Sequence, residues 1–119
     1  MMSYDSDNIF AMILRGDVPC VKIYEDNHAL AFNDINPQAP VHALVIPKGK
    51  YVNMIDFSEN APEELIVGFF RAIGRTARQL GLEEGGYRLI ANAGESAHQE
   101  VPHLHFHILS GKKLGPMLS

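Results

Sequence analysis

Three histidines alternate with apolar residues in the segment VPHLHFHILSG, residues 101–111. If this segment forms a β-strand, successive side chains point to opposite faces, so His103, His105 and His107 share one face. The apolar residues between them then share the other face, which is typical of a half-buried strand. Because the segment holds half of the six histidines in the chain, we ask what chemistry a row of imidazoles supports.

Two interpretations of the row do not need a nucleophile. Histidines can occupy the solvent-exposed face of an amphipathic strand without any further role. A His-X-His pair can also bind zinc, with His107, His42 or Asp34 as a further ligand and a water at the open position. The sequence has no HExxH and no CxxC motif, so the zinc interpretation rests on the histidines alone.

The third interpretation is covalent catalysis, in which a neutral imidazole attacks an electrophile while neighbouring groups hold its tautomer. Phosphorus suits this chemistry, because transfer at phosphate needs a nucleophile, stabilisation of the nonbridging oxygens and a proton for the leaving group. The loop NAGESAHQE precedes the histidines and contains Gly94. Its main-chain N–H groups and the side chain of Asn92 are therefore candidate phosphate donors.

The rest of the sequence predicts the elements that must position these side chains. Strands are predicted at VKIY, HALAFND, VHALVIP, GYRLIAN and HLHFHIL. A short helix is predicted at NIFAMILR, with Asp5, Ser6 or Asp7 as its cap and Gly16 as its end, and a long amphipathic helix at residues 61–80. We therefore predict an α+β fold with a five-stranded antiparallel sheet, one long helix and one short helix.

Composition narrows the function classes. The chain has 119 residues and a formal net charge of -4, which predicts a single domain over residues 1–119 without a broad basic surface for polymeric nucleic acid. Cys20 is the only cysteine, which excludes an internal disulfide and fits a reducing compartment. No apolar run approaches the roughly 18 residues of a membrane span, and the N-terminal segment lacks the pattern of a secretion signal. We expect a cytoplasmic protein with no membrane partner.

The segment HLHFHIL resembles the His-φ-His-φ-His-φ-φ signature of the histidine triad (HIT) superfamily. Further segments resemble the Hint branch of that superfamily in the same order, namely DNIFAMILRGDVP, YEDNHALAFNDINPQAPVHALVIPK, GYRLIANAG, QEVPHLHFHILSG and GPML. The resemblance covers nearly the entire chain. It implies a HIT-like fold that forms homodimers and hydrolyses purine nucleoside phosphoramidates of the AMP or GMP type, with no cofactor and no bound metal.

The resemblance also implies roles for individual residues. His105 is expected to be the nucleophile that forms a nucleotidyl-histidine intermediate, with a main-chain carbonyl near His107 holding its Nδ1 proton. His107 is expected to contact the phosphate, and His103 with His42 to extend the polar network behind it. The expected substrate-binding residues are Asn92 and the backbone of Glu100 and Val101 for phosphate, Asp34 for ribose, and Ile9, Phe10, Ile13, Val18, Phe32 and Ile35 for the base.

The chain departs from the family pattern beside the triad. Glu100 stands where several relatives have a serine, so we expect its carboxylate to point away from the phosphate and only its N–H to face it. Pro102 stands where a tyrosine is common, which changes the hydrogen bonding before the first triad histidine. Three alternatives to a phosphoramidase stay open, namely a dinucleoside polyphosphate hydrolase, a zinc-dependent hydrolase and a noncatalytic nucleotide-binding module.

Overall fold

The computed structural model describes residues 3–118, which form five strands and three α-helices. The elements are α1 (Ile9–Leu14), β1 (Lys22–Glu25), β2 (Ala29–Asn33), β3 (Val41–Pro47), α2 (Met54–Asn60), α3 (Glu63–Gln79), β4 (Arg88–Ile90), a 3₁₀ turn (Glu95–Ala97) and β5 (Phe106–Ser110). The strands form one antiparallel sheet in the order β1-β2-β3-β5-β4. The predicted five-stranded α+β fold is confirmed. The predicted number of helices is wrong, because α2 is an additional short helix.

Helix α2 depends on capping rather than on an apolar stripe. The side chain of Asn53 accepts from the Asp56 N–H, and the Asp56 carboxylate accepts from the Val52 N–H. These bonds satisfy donors at the start of the helix that would otherwise lack partners. Phe57 is the one residue of α2 that is buried, so the segment lacks the apolar periodicity from which a helix is predicted.

Helix α1 is confirmed, but its predicted caps are wrong. The cap is Asn8, whose side-chain oxygen accepts from the Ala11 N–H at 2.9 Å. The predicted caps Asp5, Ser6 and Asp7 lie before it, and the Asp5 carboxylate accepts from the Asp7 N–H instead. A turn therefore precedes the helix, because a short polar side chain bonds the backbone two residues on.

Both predicted helices are followed by a glycine in the left-handed conformation. Gly16 follows α1 with φ +83°, and Gly81 follows α3 with φ +73°, a left-handed conformation that glycine adopts at low cost. Helix α3 begins two residues later than the predicted range 61–80, because Pro62 is extended with ψ 148°. Acidic residues occupy its first turn and Arg78 its last turn, an arrangement that favours the helix dipole.

The central strands divide the core between two faces of the sheet. On the first, which we name the helix face, mostly small strand residues pack against α3, namely Ala29, Ala31, Ala43 and Val45 with Phe69, Ala72 and Ile73. On the second, which we name the cavity face, larger strand residues pack with Phe10 of α1, namely Leu30, Phe32, Leu44 and Ile46. Alternation along each strand creates this division. Small side chains on the helix face allow α3 to pack close to the sheet.

The pairing of β3 with β5 brings two histidines together on the cavity face. His107 is opposite Leu44, and His42 is opposite Leu109. Since His42 and Leu44 are two residues apart on β3, they share a face, and His42 and His107 are diagonal neighbours across the two strands.

Strands β1 and β4 are the edges of the sheet. Exposed apolar side chains lie on α3 and around β4, namely Val67, Phe70, Tyr87 and Leu89. None of the helices within residues 3–118 has the length and apolar character needed to cross a membrane.

Candidate functional site

A cavity of about 660 Å³ opens on the cavity face of the sheet, and this volume is in the range of small-molecule sites. All predicted site residues except His103 line it, namely His42, His105, His107, Asn92, Asp34, Glu100, Val101, Ile9, Phe10, Ile13, Val18, Phe32 and Ile35. It is also lined by residues that were not predicted, namely Pro19, Cys20, Asn33, Asn36, Gln38, Leu44 and His98. Leu44 could have been predicted from the alternation along β3, because it is two residues from His42. His98 could not have been predicted in this way, because it lies in an irregular loop.

The sequence predicted one strand for the three triad histidines, but the structure does not place all three on one strand. Strand β5 begins at Phe106, so it contains His107, whereas His103 and His105 precede it. Pro102, which lacks an N–H, lies in the bend before the strand. His105 and His107 line the cavity, but His103 is fully buried outside it. Leu104, Phe106 and Ile108 pack in the helix-face core, and His103 lies beside Phe10 with ring centroids 6.3 Å apart. The prediction of a single strand is therefore wrong, whereas the predicted alternation of imidazoles with apolar side chains is present.

Hydrogen bonds to the end of β3, to the segment after it and to Tyr4 hold His103 and Leu104 in place. The Leu104 N–H donates to the Tyr51 carbonyl at 2.7 Å. The His103 Nε2 bonds the Pro47 carbonyl at 3.0 Å, and its Nδ1 bonds the Tyr4 hydroxyl at 2.7 Å. A carbonyl can only accept, so Nε2 carries the proton and Nδ1 accepts from Tyr4. His103 therefore does not join His42 in a network behind the nucleophile, which corrects the expected arrangement.

The geometry of His105 leaves one ring nitrogen without a proton. Its Nδ1 lies 2.7 Å from the main-chain carbonyl of His103, so Nδ1 carries the proton and Nε2 keeps a lone pair. The expected carbonyl partner is present, but it belongs to His103 rather than to a residue near His107. Burial lowers the pKa of His105, which favours the neutral, nucleophilic ring at neutral pH. The ring packs edge-to-face against Phe10, with centroids 5.0 Å apart.

A main-chain amide also determines the tautomers of His42 and His107. The Gln38 N–H donates to His42 Nδ1 at 3.0 Å, so the proton of neutral His42 is on Nε2. That Nε2 lies 2.8 Å from His107 Nδ1 and 3.3 Å from the Asp34 carboxylate. His107 Nδ1 therefore accepts, and His107 Nε2 carries a proton that it can donate to a ligand.

Burial keeps this group of histidines uncharged. Burial is the main cause that lowers the pKa of His103 and of His107 to about 4, and nearby His105 contributes to both shifts. Burial also lowers the pKa of His42, although the charge of Asp34 opposes the shift. The imidazoles in and behind the cavity are consequently neutral at pH 7 and act as hydrogen-bonding groups rather than as cations.

Asp34, His42 and His107 could in principle hold a metal ion. One ligand atom from each lies within 4.8 Å of the others, and imidazole and carboxylate are zinc ligands. A metal at His42 Nε2 would need the proton on Nδ1, which faces the donating Gln38 N–H. Two donors would then oppose each other, so this hydrogen bond disfavours the metal.

The side chain of Gln99 holds the loop before β5 in place through hydrogen bonds to the main chain. The Gly94 N–H donates to Gln99 Oε1 at 3.0 Å, and Gln99 Nε2 donates to the carbonyls of Val52 and Val101. Of the loop amides expected to face an anion, the Gly94 N–H is therefore already bonded within the protein. His98 completes the turn with φ 58°, a conformation in which histidine is one of the better tolerated residues other than glycine.

The polar wall near this loop contains Asn92 and Glu100. Asn92 is half-buried two residues after β4, and Glu100 is exposed at the cavity. Within residues 3–118, the main-chain N–H groups of Glu100 and Val101 form no hydrogen bond. They are the two amides assigned to phosphate from the sequence. The negative charges of Asp34 and Glu100 raise the pKa of His105, but less than burial lowers it.

The opposite wall is apolar. Phe10 and Phe32 meet edge-to-face with centroids 5.6 Å apart, and both are buried. Ile35 lies at the mouth and is 98% exposed, and Ile9 is 41% exposed. Exposed apolar side chains at a cavity are typical of a ligand-binding site.

Comparisons with known proteins agree with this geometry. A HIT domain profile matches residues 15–114. The chain is 60% identical to a HIT-like protein of Azospirillum brasilense over 98% of this chain and 96% of the relative. It is 40% identical to the purine nucleoside phosphoramidase of Escherichia coli over 95% of this chain and 94% of the relative. A histidine triad protein from Clostridium difficile has a similar structure, with a TM-score of 0.83, 43% identity and coverage of 94% and 96% of the two chains. The chain therefore belongs to the HIT domain family.

Proposed function

We propose that this protein hydrolyses purine nucleoside phosphoramidates, in which AMP or GMP is joined through nitrogen to an amine. The observation that carries the proposal is the bond from His105 Nδ1 to the His103 carbonyl at 2.7 Å, which leaves Nε2 free for nucleophilic attack at a cavity wall. The 40% identical relative in Escherichia coli bears the name of this activity, which supports the choice of substrate.

The reaction proceeds in two displacements at phosphorus. His105 Nε2 attacks phosphorus, a nitrogen–phosphorus bond to the protein forms, and the bond to the leaving amine breaks. The amine takes the proton of His107 Nε2, and water restores that proton when it attacks the nucleotidyl-histidine and releases the nucleoside monophosphate. The His103 carbonyl accepts from Nδ1–H throughout, and so stabilises the positive charge that develops on the attacking ring.

The remaining cavity residues bind the nucleotide in this proposal. Asn92 and the N–H groups of Glu100 and Val101 donate to the phosphate oxygens. Asp34 accepts from ribose hydroxyls. The purine lies against the apolar wall formed by Ile9, Phe10, Ile13, Val18, Phe32 and Ile35.

Replacing the nucleophile tests the proposal directly. His105→Asn is expected to lower turnover of an adenosine phosphoramidate at least about a thousandfold, because the reaction loses its nucleophile. AMP should still bind, since the other wall residues are unchanged. Initial rates and AMP binding measured by calorimetry give the two readouts, and rapid denaturation in alkali, where a phosphorus–nitrogen bond to histidine survives, should trap AMP on His105 of the wild type. Turnover near the wild-type rate in His105→Asn would remove His105 from the mechanism.

Further measurements on the wild-type protein separate the alternatives. Faster cleavage of a dinucleoside polyphosphate than of the phosphoramidate would favour the polyphosphate hydrolase. Activity that chelators abolish and stoichiometric zinc restores would favour the zinc hydrolase. Tight AMP binding with no turnover of either substrate would favour a noncatalytic nucleotide-binding module.

We also infer that the working form is a homodimer. Val67, Phe70, Tyr87 and Leu89 are each at least 42% exposed, and together they give α3 and the β4 edge an apolar surface that a second copy can cover. Sedimentation equilibrium measures the mass in solution, and a monomer at micromolar concentration would contradict the inference. A cytoplasmic location and a single domain stay predictions from the sequence.

A further inference from the structure

The walls of the cavity carry negative charge without a balancing cation. Asp34 and Glu100 line it, and no lysine or arginine is among the described residues that do so. His42, His105 and His107 are neutral at pH 7, because burial lowers their pKa values. A substrate with several negative charges would therefore meet repulsion here, whereas a phosphoramidate carries a single charge on its phosphate.

The two carboxylates differ in how they are engaged. Asp34 accepts from the Asn36 N–H at 2.9 Å and lies 3.3 Å from His42 Nε2. Glu100 is exposed and forms no salt bridge within residues 3–118. The charge of Glu100 is therefore the one that remains available to an incoming molecule.

The backbone next to Glu100 is held in place. Gln99 donates through its side chain to the carbonyls of Val52 and Val101, and accepts from the Gly94 N–H. Val101 lines the cavity as well. The main chain that carries Glu100 is thus fixed by hydrogen bonds at the edge of the cavity, and the charge of Glu100 acts on His105. For a phosphate bound beside His105, we take this edge as the side on which the leaving group extends.

We propose that Glu100 selects substrates by the charge of the leaving group, favouring cationic amines over anionic groups such as polyphosphates or amino carboxylates. This inference rests on the proposed function, because it needs the phosphate to lie against His105. A unit charge about 8 Å from Glu100 changes affinity about twofold at the dielectric constant of water and about thirtyfold at the value typical near a protein surface, and we take about threefold for this exposed carboxylate. Attraction of a cation and repulsion of an anion together give about a tenfold preference.

Three substrates of equal size test the selection. They are adenosine phosphoramidates of straight-chain amines whose far ends are an ammonium, a methyl group or a carboxylate. For the wild type, kcat/KM should fall in that order, with at least about a tenfold ratio between the cationic and anionic substrates. Glu100→Gln should reduce this ratio about tenfold, and added salt should weaken it in the wild type.

A matched control uses another carboxylate of the same loop. Glu95 is exposed and does not line the cavity, so Glu95→Gln removes the same charge and should leave the ratio as in the wild type. His98→Asn is measured in parallel, because His98 also lines the cavity. A ratio that changes with Glu95 or His98, but not with Glu100, would overturn the inference.

Binding distinguishes failure of this inference from failure of the proposed function. The three compounds are titrated into His105→Asn protein, with and without Glu100→Gln. If the wild type cleaves none of them, but affinity still follows their charge and Glu100→Gln removes the order, the proposed function fails and charge selection stands. Equal rates and equal affinities for the three compounds would overturn charge selection alone.

Discussion

The helix face and the cavity face are built from alternate residues of the same strands, yet they bury different kinds of groups. The helix face takes Ala43 and Val45 from β3 and Ile108 from β5. The cavity face takes His42, Leu44 and His107 from these strands. Apolar packing requires only that volume be filled, whereas each buried imidazole also requires a donor or acceptor in a given direction.

The cavity face meets that requirement mainly with main-chain groups. The carbonyls of Pro47 and His103 and the N–H of Gln38 each bond one imidazole, and the residues described leave no buried side-chain nitrogen or oxygen without a partner. A main-chain N–H can only donate and a main-chain carbonyl can only accept. The tautomer of each imidazole therefore follows from the main-chain group that the fold places beside it. This comparison predicts that changes on the helix face alter stability at every pH, whereas the cavity face determines the chemistry of the site and how stability depends on pH.

The largest expected effect is on the helix face. Phe69 is fully buried and packs against Phe57 and Phe106, with ring centroids 5.3 and 5.8 Å away. Phe69→Ala should lower the free energy of unfolding by about 3–5 kcal/mol, because it leaves a cavity in the core. Urea denaturation measures this loss. The kcat/KM of the protein that remains folded should stay within about twofold of the wild type, and a large loss of kcat/KM would break the comparison.

The next effect belongs to the cavity face and depends on pH. The pKa values of His103 and His107 are about 4 in the folded protein, against about 6.5 in an unfolded chain. Between these values the unfolded state binds more protons, so stability is present above pH 6.5 and is lost as the pH falls toward 4. From pH 6.5 to pH 4.5 the loss should be about 2 kcal/mol for each histidine.

A conservative change on the helix face is the control for this pH dependence. Ile73→Val should lower stability by about 1 kcal/mol at every pH and leave the slope unchanged, because Ile73 packs on the helix face away from the histidines. Urea denaturation at pH 6.5, 5.5 and 4.5 measures both proteins. If the wild-type free energy of unfolding stays constant from pH 6.5 to 4.5, the pKa values of these histidines are not lowered in the folded protein.

The smallest expected effect concerns a single main-chain amide. Gln38→Pro removes the N–H that bonds His42 Nδ1, so His42 can adopt the other tautomer. We expect about a tenfold fall in kcat/KM, which is typical of groups that orient another residue, together with a gain of zinc affinity at Asp34, His42 and His107. Gln38→Ala keeps the N–H and should show neither change. Equal behaviour of the two variants would mean that the amide does not determine the tautomer.

Much of this site could be predicted from local sequence because its residues follow regular spacing. Alternation in VHALVIP places His42 on one face of β3, and the resemblance to the histidine triad pattern identifies His105 and His107. The wrong predictions arise where contacts between distant residues replace regular structure. The Leu104 N–H bonds Tyr51, so β5 starts later than its apolar alternation indicates, and His103 is buried behind the cavity instead of lining it.

By itself, the sequence determined the α+β class, the strands of the sheet, the long helix and most of the residues that line the cavity, because these follow from hydrophobic periodicity and family motifs. The tertiary structure alone decided which nitrogen of each imidazole carries a proton, which amides of the loop before β5 are already bonded, and that His98 joins the cavity wall. The physical reason is that a hydrogen bond depends on the direction and distance of groups far apart in the chain, such as Pro47 and His103, and periodicity holds no information about either.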